Sequence, residues 1–224
     1  MSQMLKTLFE DGTILTGLWE TTYMTALSTA IAYAIGLPLG IILCATDKNG
    51  LKPVPWLNKT LGFIVNVLRS FPFIILMVAF LPAARVIVGT GLGNKAMIVM
   101  LVIAAAPYVA RMVESSLKET DRGVIEAARA MGASDFEIIR KVYLPESKPS
   151  LITGAVISAV TVLGYSAMAA TIGGGGLGAI AVTYGYQRGN RDVIWIAVAI
   201  IVIVVQAIQE LGMLVSRKTD KRIN

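Results

Sequence analysis

Histidine is absent from the 224 residues, and cysteine occurs once, as Cys44. Without His there is no imidazole base for a catalytic triad and no imidazole to ligate a metal. A single Cys excludes an intrachain disulfide, a thiolate zinc cluster and a C-x-x-C redox pair. No G-x-x-x-x-G-K-[ST] segment occurs either, so the chain carries no P-loop for hydrolysing ATP. Charge is scarce at 15% of residues, against about 25% in soluble domains. Apolar residues are abundant instead, at 55%, and the mean hydropathy is +0.71. Twenty Lys and Arg against fourteen Asp and Glu leave +6. In a chain this apolar, that excess marks cytoplasmic loops facing anionic lipid, with no nucleic-acid partner. The composition describes a multi-span membrane protein with no catalytic residues, no metal site and no cofactor of its own.

A span needs about 20 mostly apolar residues to cross about 30 Å of hydrocarbon. Charge-free runs cover 21–46, 96–110, 149–187 and 193–209, and 60–84 is interrupted only by Arg69. Extended to their flanks, these runs predict five spans at about 18–46, 60–84, 94–117, 150–172 and 193–215. The 149–187 run has room for two helices, but six glycines crowd 173–187. Each Gly costs about 1 kcal/mol in a helix relative to Ala. The run therefore reads as one helix followed by a Gly-rich re-entrant or extracytoplasmic loop. The expected fold class is an all-α membrane protein, a single transmembrane domain over 1–224 with a cytoplasmic insertion at 118–148.

The distribution of Lys and Arg sets the orientation. Three lie in 47–59, seven in 111–148 and four in the tail (Arg217, Lys218, Lys221 and Arg222), against five on the other side. This bias predicts an outside N-terminus and a cytoplasmic C-terminus. The first span does not read as a signal peptide. Its 26-residue uncharged run exceeds an h-region of about 7–15 residues, and Glu10, Asp11 and Glu20 precede it in place of a basic n-region.

The insertion is the most informative stretch. Thr120 or Asp121 can cap a helix over 122–131, and Gly132 suits the C′ position that ends it. Ser134-Asp135-Phe136-Glu137 reads as a capping box that starts a second short helix, which Leu144-Pro145 is expected to stop. Val124, Ala127, Ala128 and Met131 fall at i, i+3, i+4 and i+7 and form an apolar stripe. Seven basic and seven acidic residues balance across 111–148. A helix lying on lipid would be rich in Lys and Arg on its polar face, so the stripe suits a protein partner; an ordinary solvated loop helix is the alternative.

Glu126-Ala127-Ala128-Arg129-Ala130-Met131-Gly132, then Ile139 and Leu144-Pro145, resembles the EAA motif of ABC importer permeases. The final portion, Val142-Tyr143-Leu144-Pro145, departs slightly from the family's I-x-L-P. The resemblance continues through Arg69-Ser70-Phe71-Pro72-Phe73, through Ala105-Ala106-Pro107-Tyr108-Val109-Ala110-Arg111 and through Gly164-Tyr165-Ser166-Ala167-Met168. These look like the methionine-uptake branch, as does a five-span chain of this length. The resemblance implies a bacterial inner-membrane permease for methionine in D or L form, with another small amino acid or solute as the alternative. It implies a coupling helix in the insertion, with Glu126, Ala127, Ala128, Gly132, Leu144 and Pro145 docking on the ATPase. The implied partners are a second copy of the chain, two ATP-binding subunits that hold ATP and Mg, and an extracytoplasmic substrate-binding protein. A partner-gated channel or scaffold is the rival class, and it has no need of the EAA segment.

Other features are read beside this. Gly173, Gly175 and Gly178 spell G-x-G-x-x-G, but no strand precedes them and no ribose-binding acid follows. Gly36-x-x-x-Gly40 is read as packing helices within the protomer in preference to between protomers. Arg69 is a candidate intramembrane charge, with snorkelling to the interface as the alternative. Met168, beside Ser166 and Tyr165, is a candidate pathway or gate residue whose flexible thioether suits closing a narrow pore; ordinary packing is the alternative. Thr153, Ser158, Thr161, Tyr165 and Ser166 make the fourth span rich in hydroxyls, as expected of a face lining an aqueous path or another helix.

Overall fold

The structure is a computed structural model and describes residues 3–220; Lys221 and Arg222 of the basic tail lie outside the described residues. All regular structure among these residues is helical. A short amphipathic helix, α1 (Gln3–Glu10), leads into α2 (Thr13–Thr46). Then come α3 (Pro55–Ser70), α4 (Phe73–Ala79), α5 (Leu81–Val88) and α6 (Gly93–Lys118). The insertion forms α7 (Arg122–Ala130), α8 (Asp135–Ile138), a π-helical turn over Ile139–Tyr143 and α9 (Leu144–Glu146). After it run α10 (Lys148–Ser166), a 3₁₀ segment (Ala167–Ile172), α11 (Leu177–Ile180), a π-helical stretch (Ala181–Gln187) and α12 (Arg191–Thr219).

Four segments are long and apolar enough to cross a membrane: Thr13–Thr46, Gly93–Lys118, Lys148–Ile172 and Arg191–Thr219. The second predicted span is not one straight helix. α3 and α4 meet at a bend of 105°, and counting the bent pair as one crossing makes five. Proline causes the bend. Pro72 forces Phe71 into extended backbone (φ −73°, ψ 129°) and supplies no N–H to continue the helix. A second break at Phe80 is followed by Pro82 in the first turn of α5, and Gly89 closes α5 in the left-handed region at φ 76°.

Two further expectations are corrected. Leu144-Pro145 does not stop the insertion's second helix. Leu144 stays helical (φ −64°, ψ −43°), and its N–H reaches the carbonyl of Ile139 in a widened turn. That turn brings Pro145 to the start of α9, where its missing N–H breaks no bond. Nor is 173–187 a loop throughout. Only Gly173–Gly176 is irregular, and Leu177–Gln187 is helical, because α11 is buried and its first amides find acceptors elsewhere in the chain.

The chain forms two compact units. One contains the residues up to Ala30, Pro72–Ala105 and Ala159–Gln209. Its core joins Leu8, Ile14, Leu177, Ile180 and Val193. Met24, Met77, Met97 and Met100 are fully buried here as well, and such unbranched side chains fill irregular gaps between helices. The other unit contains Ile31–Phe71, Ala106–Ser158 and the residues from Glu210 onward, with a core of Leu43, Val65 and Ala110. There the Gly36/Gly40 pair packs α2 on α6 within the protomer. A Cβ on Gly36 would lie 2.9 Å from the carbonyl oxygen of Ala106, and one on Gly40 would lie 2.6 Å from that of Ala110.

Candidate coupling surface and pathway segment

Local sequence rules build the candidate coupling surface. The Asp121 carboxylate accepts from the Gly123 N–H at 2.6 Å and caps α7. At the other end Gly132 sits at φ 84°. The Gly132 N–H reaches the carbonyl of Arg129, and the Ala133 N–H reaches that of Ala128, which is the paired closure a left-handed C′ residue makes. One turn later the Ser134 hydroxyl accepts from the Glu137 N–H, and Glu137 accepts from the Ser134 N–H, a complete capping box. Lys141 donates to Glu137 at 2.9 Å. That ammonium, helped by the Ser134 N–H and hydroxyl, holds the Glu137 carboxyl down at about 2.

With both ends fixed, α7 buries one side only. Ala128 is buried, while Val124, Glu126, Ala127 and Met131 face outward. Met131 is 82% exposed, and Phe136 on α8 adds another exposed apolar group. The predicted stripe is thus split: Ala128 packs inward and the rest stays available. Leu144 is half-buried and Pro145 exposed.

The insertion is tied back to its own unit by polar contacts that sequence reasoning missed. Arg129 donates to the carbonyl oxygen of Leu51 at 2.9 Å and to Asp135 at 3.3 Å. Thr120 and Ser147 share a buried 3.1 Å hydrogen bond that joins the two ends of the insertion. Nearby, the buried Glu114 accepts from Arg111 at 2.6 Å and from Lys118 at 2.7 Å. Lys118 also pairs with Asp47, and its hydrogen bond keeps the Asp47 carboxyl below the usual carboxylate range. Arg111 reaches further, to the Gly62 carbonyl and to the Asn66 side chain, both at 3.0 Å. Tyr143 is pushed up to about 12, chiefly by burial. An alternation of Arg, Glu and Lys at 111, 114 and 118 was the available signal, because i,i+3 and i,i+4 spacings put those charges on one helix face.

Arg69 is exposed in the last turn of α3, with its guanidinium 5.8 Å from the centre of the Tyr108 ring. A cation there complements the helix C-terminus and rests on an aromatic face. In the other unit, Tyr165 stacks on Phe73, with centroids 4.5 Å apart and planes 3° from parallel. The Ser166 hydroxyl is buried and donates to the carbonyl of Leu163 at 2.7 Å. Met168 is 38% exposed on the 3₁₀ segment and does not belong to the packed core. Of the hydroxyls on the fourth span, Thr153 pairs with Ser216 at 3.0 Å and Ser158 donates to Gly154 at 2.7 Å, so both are spent within the chain.

A family model described as the inner membrane component of binding-protein-dependent transport systems matches residues 36–216. The probable D-methionine transport system permease protein MetI of Vibrio cholerae is 46% identical over 93% of this chain and 93% of its own length. The methionine import system permease protein MetP of Bacillus subtilis is 45% identical, over 93% of this chain and 96% of its own. Among solved structures, a chain of the MetNI methionine ABC transporter in an inward-facing conformation superposes with a TM-score of 0.93 at 43% identity. That match covers 99% of this chain and 100% of the other.

Proposed function

We propose that this chain, which belongs to the family of binding-protein-dependent transport system inner membrane components, is the permease subunit of an ATP-driven methionine importer. It is a multi-pass inner-membrane protein, and hydrolysis of ATP takes place on a separate subunit. One observation carries the substrate assignment: identity near 45% with methionine permeases extends over nearly the whole of both chains.

The outward face of α7 supports the coupling role. Val124, Glu126, Ala127 and Met131, with Phe136 beside them, form a small surface suited to a groove on an ATPase subunit. The Asp121 cap and the Gly132 closure make α7 a rigid short lever, and Arg129 ties it to the backbone before α3. Motion of the ATPase is thereby delivered to the permease as a push on a helix instead of being lost in a flexible loop.

Two copies of the chain around a two-fold axis, two ATP-binding subunits and an external substrate-binding protein complete the transporter. Across that axis, two copies of the exposed Met168 meet and close the path by packing thioether against thioether, while Tyr165 and Ser166 stiffen the helix behind it. The fourth span carries no charge to grip an ammonium or carboxylate, so selection falls to the binding protein. Lys and Arg place the N-terminus outside and the insertion in the cytoplasm.

Reconstitution tests the reading. The chain co-purified with its ATPase subunits should take up methionine into liposomes only with ATP inside the reach of those subunits and the binding protein on the opposite side. Cysteines placed at Gln187 and Ser134, both exposed, should label from opposite faces. Uptake independent of ATP, or labelling from one face, sinks it.

A further inference from the structure

Gly173–Gly176 has no side chain to hold it, yet the Leu177 that follows is completely buried. Three side chains from distant parts of the sequence account for this. Asn94, at the start of α6, accepts from the Gly175 N–H through Oδ1 at 2.6 Å and donates through Nδ2 to Glu20 Oε1 at 2.9 Å. The other Glu20 oxygen accepts from the Gly176 N–H at 2.7 Å, and the neighbouring Thr21 hydroxyl accepts from the Leu177 N–H at 2.9 Å. The directions are forced. Backbone N–H groups only donate, so Asn94 must turn its oxygen to Gly175 and its NH₂ to Glu20, which then accepts twice.

The glycines are what let these side chains come this close. A Cβ on Gly175 would run into the Glu20 carboxylate, and one on Gly176 (φ 97°) would stand 2.9 Å from Thr21 Oγ1. On its other side the loop presses on the 3₁₀ segment. The Gly174 N–H donates to the carbonyl of Ala169 at 2.8 Å, and a Cβ on Gly178 would overlap the backbone of Ala167. Ala167 and Ala169 are the residues on either side of Met168.

We propose that Glu20 and Asn94 are positioning residues of the transport path, clamping the Gly-rich loop against the 3₁₀ segment and so fixing where Met168 stands. The inference rests on the reading of Met168 as the closing residue; the pair itself touches no substrate. Four successive glycines have more backbone freedom to lose than any other tetrapeptide, so a loop released from the clamp stops supporting the segment that closes the path.

A polarity swap tests it in the assembled transporter. Glu20→Gln leaves one acceptor oxygen and points an NH₂ at another donor. Asn94→Asp sets a second carboxylate against Glu20. The double variant Glu20→Gln/Asn94→Asp restores every bond with only the side-chain pair reversed: Gln donates to Asp, Gln oxygen accepts from Gly176, and Asp accepts from Gly175. Two quantities are read, amide exchange across 173–177 and ATP-independent leak of radiolabelled methionine from liposomes. Each single variant should raise loop opening and leak by about tenfold, on the scale of one lost hydrogen bond to a charged group, and the double variant should return both to near wild type. Single variants matching wild type, a double variant as leaky as the singles, or altered exchange without altered leak would each overturn the proposal. If the singles fail to assemble, the double decides: a tight assembled double supports the clamp, and an unassembled one refutes it. Failure of the wild type to import methionine would instead overturn the functional reading, with the exchange data still reporting on the clamp.

Discussion

Arg129 in the last turn of α7 donates a 2.9 Å hydrogen bond to the carbonyl oxygen of Leu51, 78 residues earlier in the chain. The bond links the helix proposed to face the ATPase to the buried Leu51 in the segment that precedes α3. Arg129→Ala should therefore lower methionine moved per ATP hydrolysed while leaving subunit assembly intact, at a stability cost of about 1 kcal/mol, since the side chain is half exposed. Transport and hydrolysis measured on the same liposomes check it; an unchanged ratio means that the tether transmits nothing.

Gly132→Pro should uncouple transport more severely. Pro fixes φ near −65° and has no N–H, whereas Gly132 stands at φ 84° and donates to Arg129. Glu126→Lys should uncouple without unfolding, because it reverses an exposed charge on the proposed docking face. Normal ATP-driven uptake by both variants would count against α7 as the docking element.

The capping box gives a pH dependence with a definite sign. The Glu137 carboxyl is lowered from 4.5 to about 2, so its contribution is complete above pH 4.5 and is lost as pH falls towards 2. Fluorescence from a Phe136→Trp reporter should stay constant from pH 7 to about 5 and change only in the lower window. In Glu137→Gln that acid transition should vanish.

Close packing of α2 on α6 predicts that Gly40→Ala destabilises by about 1–3 kcal/mol, the usual cost of overpacking. Gly164→Ala is the control. Nothing lies within 4 Å of its Cβ position, so it should be neutral or stabilise by about 0.5–1 kcal/mol through helix propensity. Thermal midpoints of the two variants in detergent should move in opposite directions or differ clearly.

Met168→Ala should raise leak with little change in melting temperature, because Met168 stands outside the core. Met77→Ala, truncating a fully buried side chain, should instead cost about 2–5 kcal/mol. If Met168→Ala lowers stability as Met77→Ala does and shows no leak, Met168 is core and not gate.

Features governed by nearest neighbours along the chain could be read from the sequence. Apolar run length located the helices long and apolar enough to cross a membrane, since the hydrocarbon thickness sets that length. A cap at Thr120 or Asp121, the Gly132 closure and the Ser134–Glu137 box followed from local hydrogen bonding between residues a few positions apart, and the structure chose Asp121 as the cap. Tertiary structure decided the rest. Whether Pro72 bends a span and Pro145 merely widens a turn depends on the bonds and packing available around each ring, not on proline itself. Whether Leu177–Gln187 is loop or helix depended on acceptors supplied by Glu20, Thr21 and Asn94, from parts of the chain that no local window contains. Six glycines argued against a helix over 173–187 by propensity. Four of them stay in the irregular Gly173–Gly176, and only Gly178 and Gly185 lie in the helical part, where burial of Leu177 with its N–H satisfied offsets their penalty. Exposure of Met168 was equally invisible, because a membrane helix presents apolar residues both to lipid and to its own core, and only packing distinguishes the two.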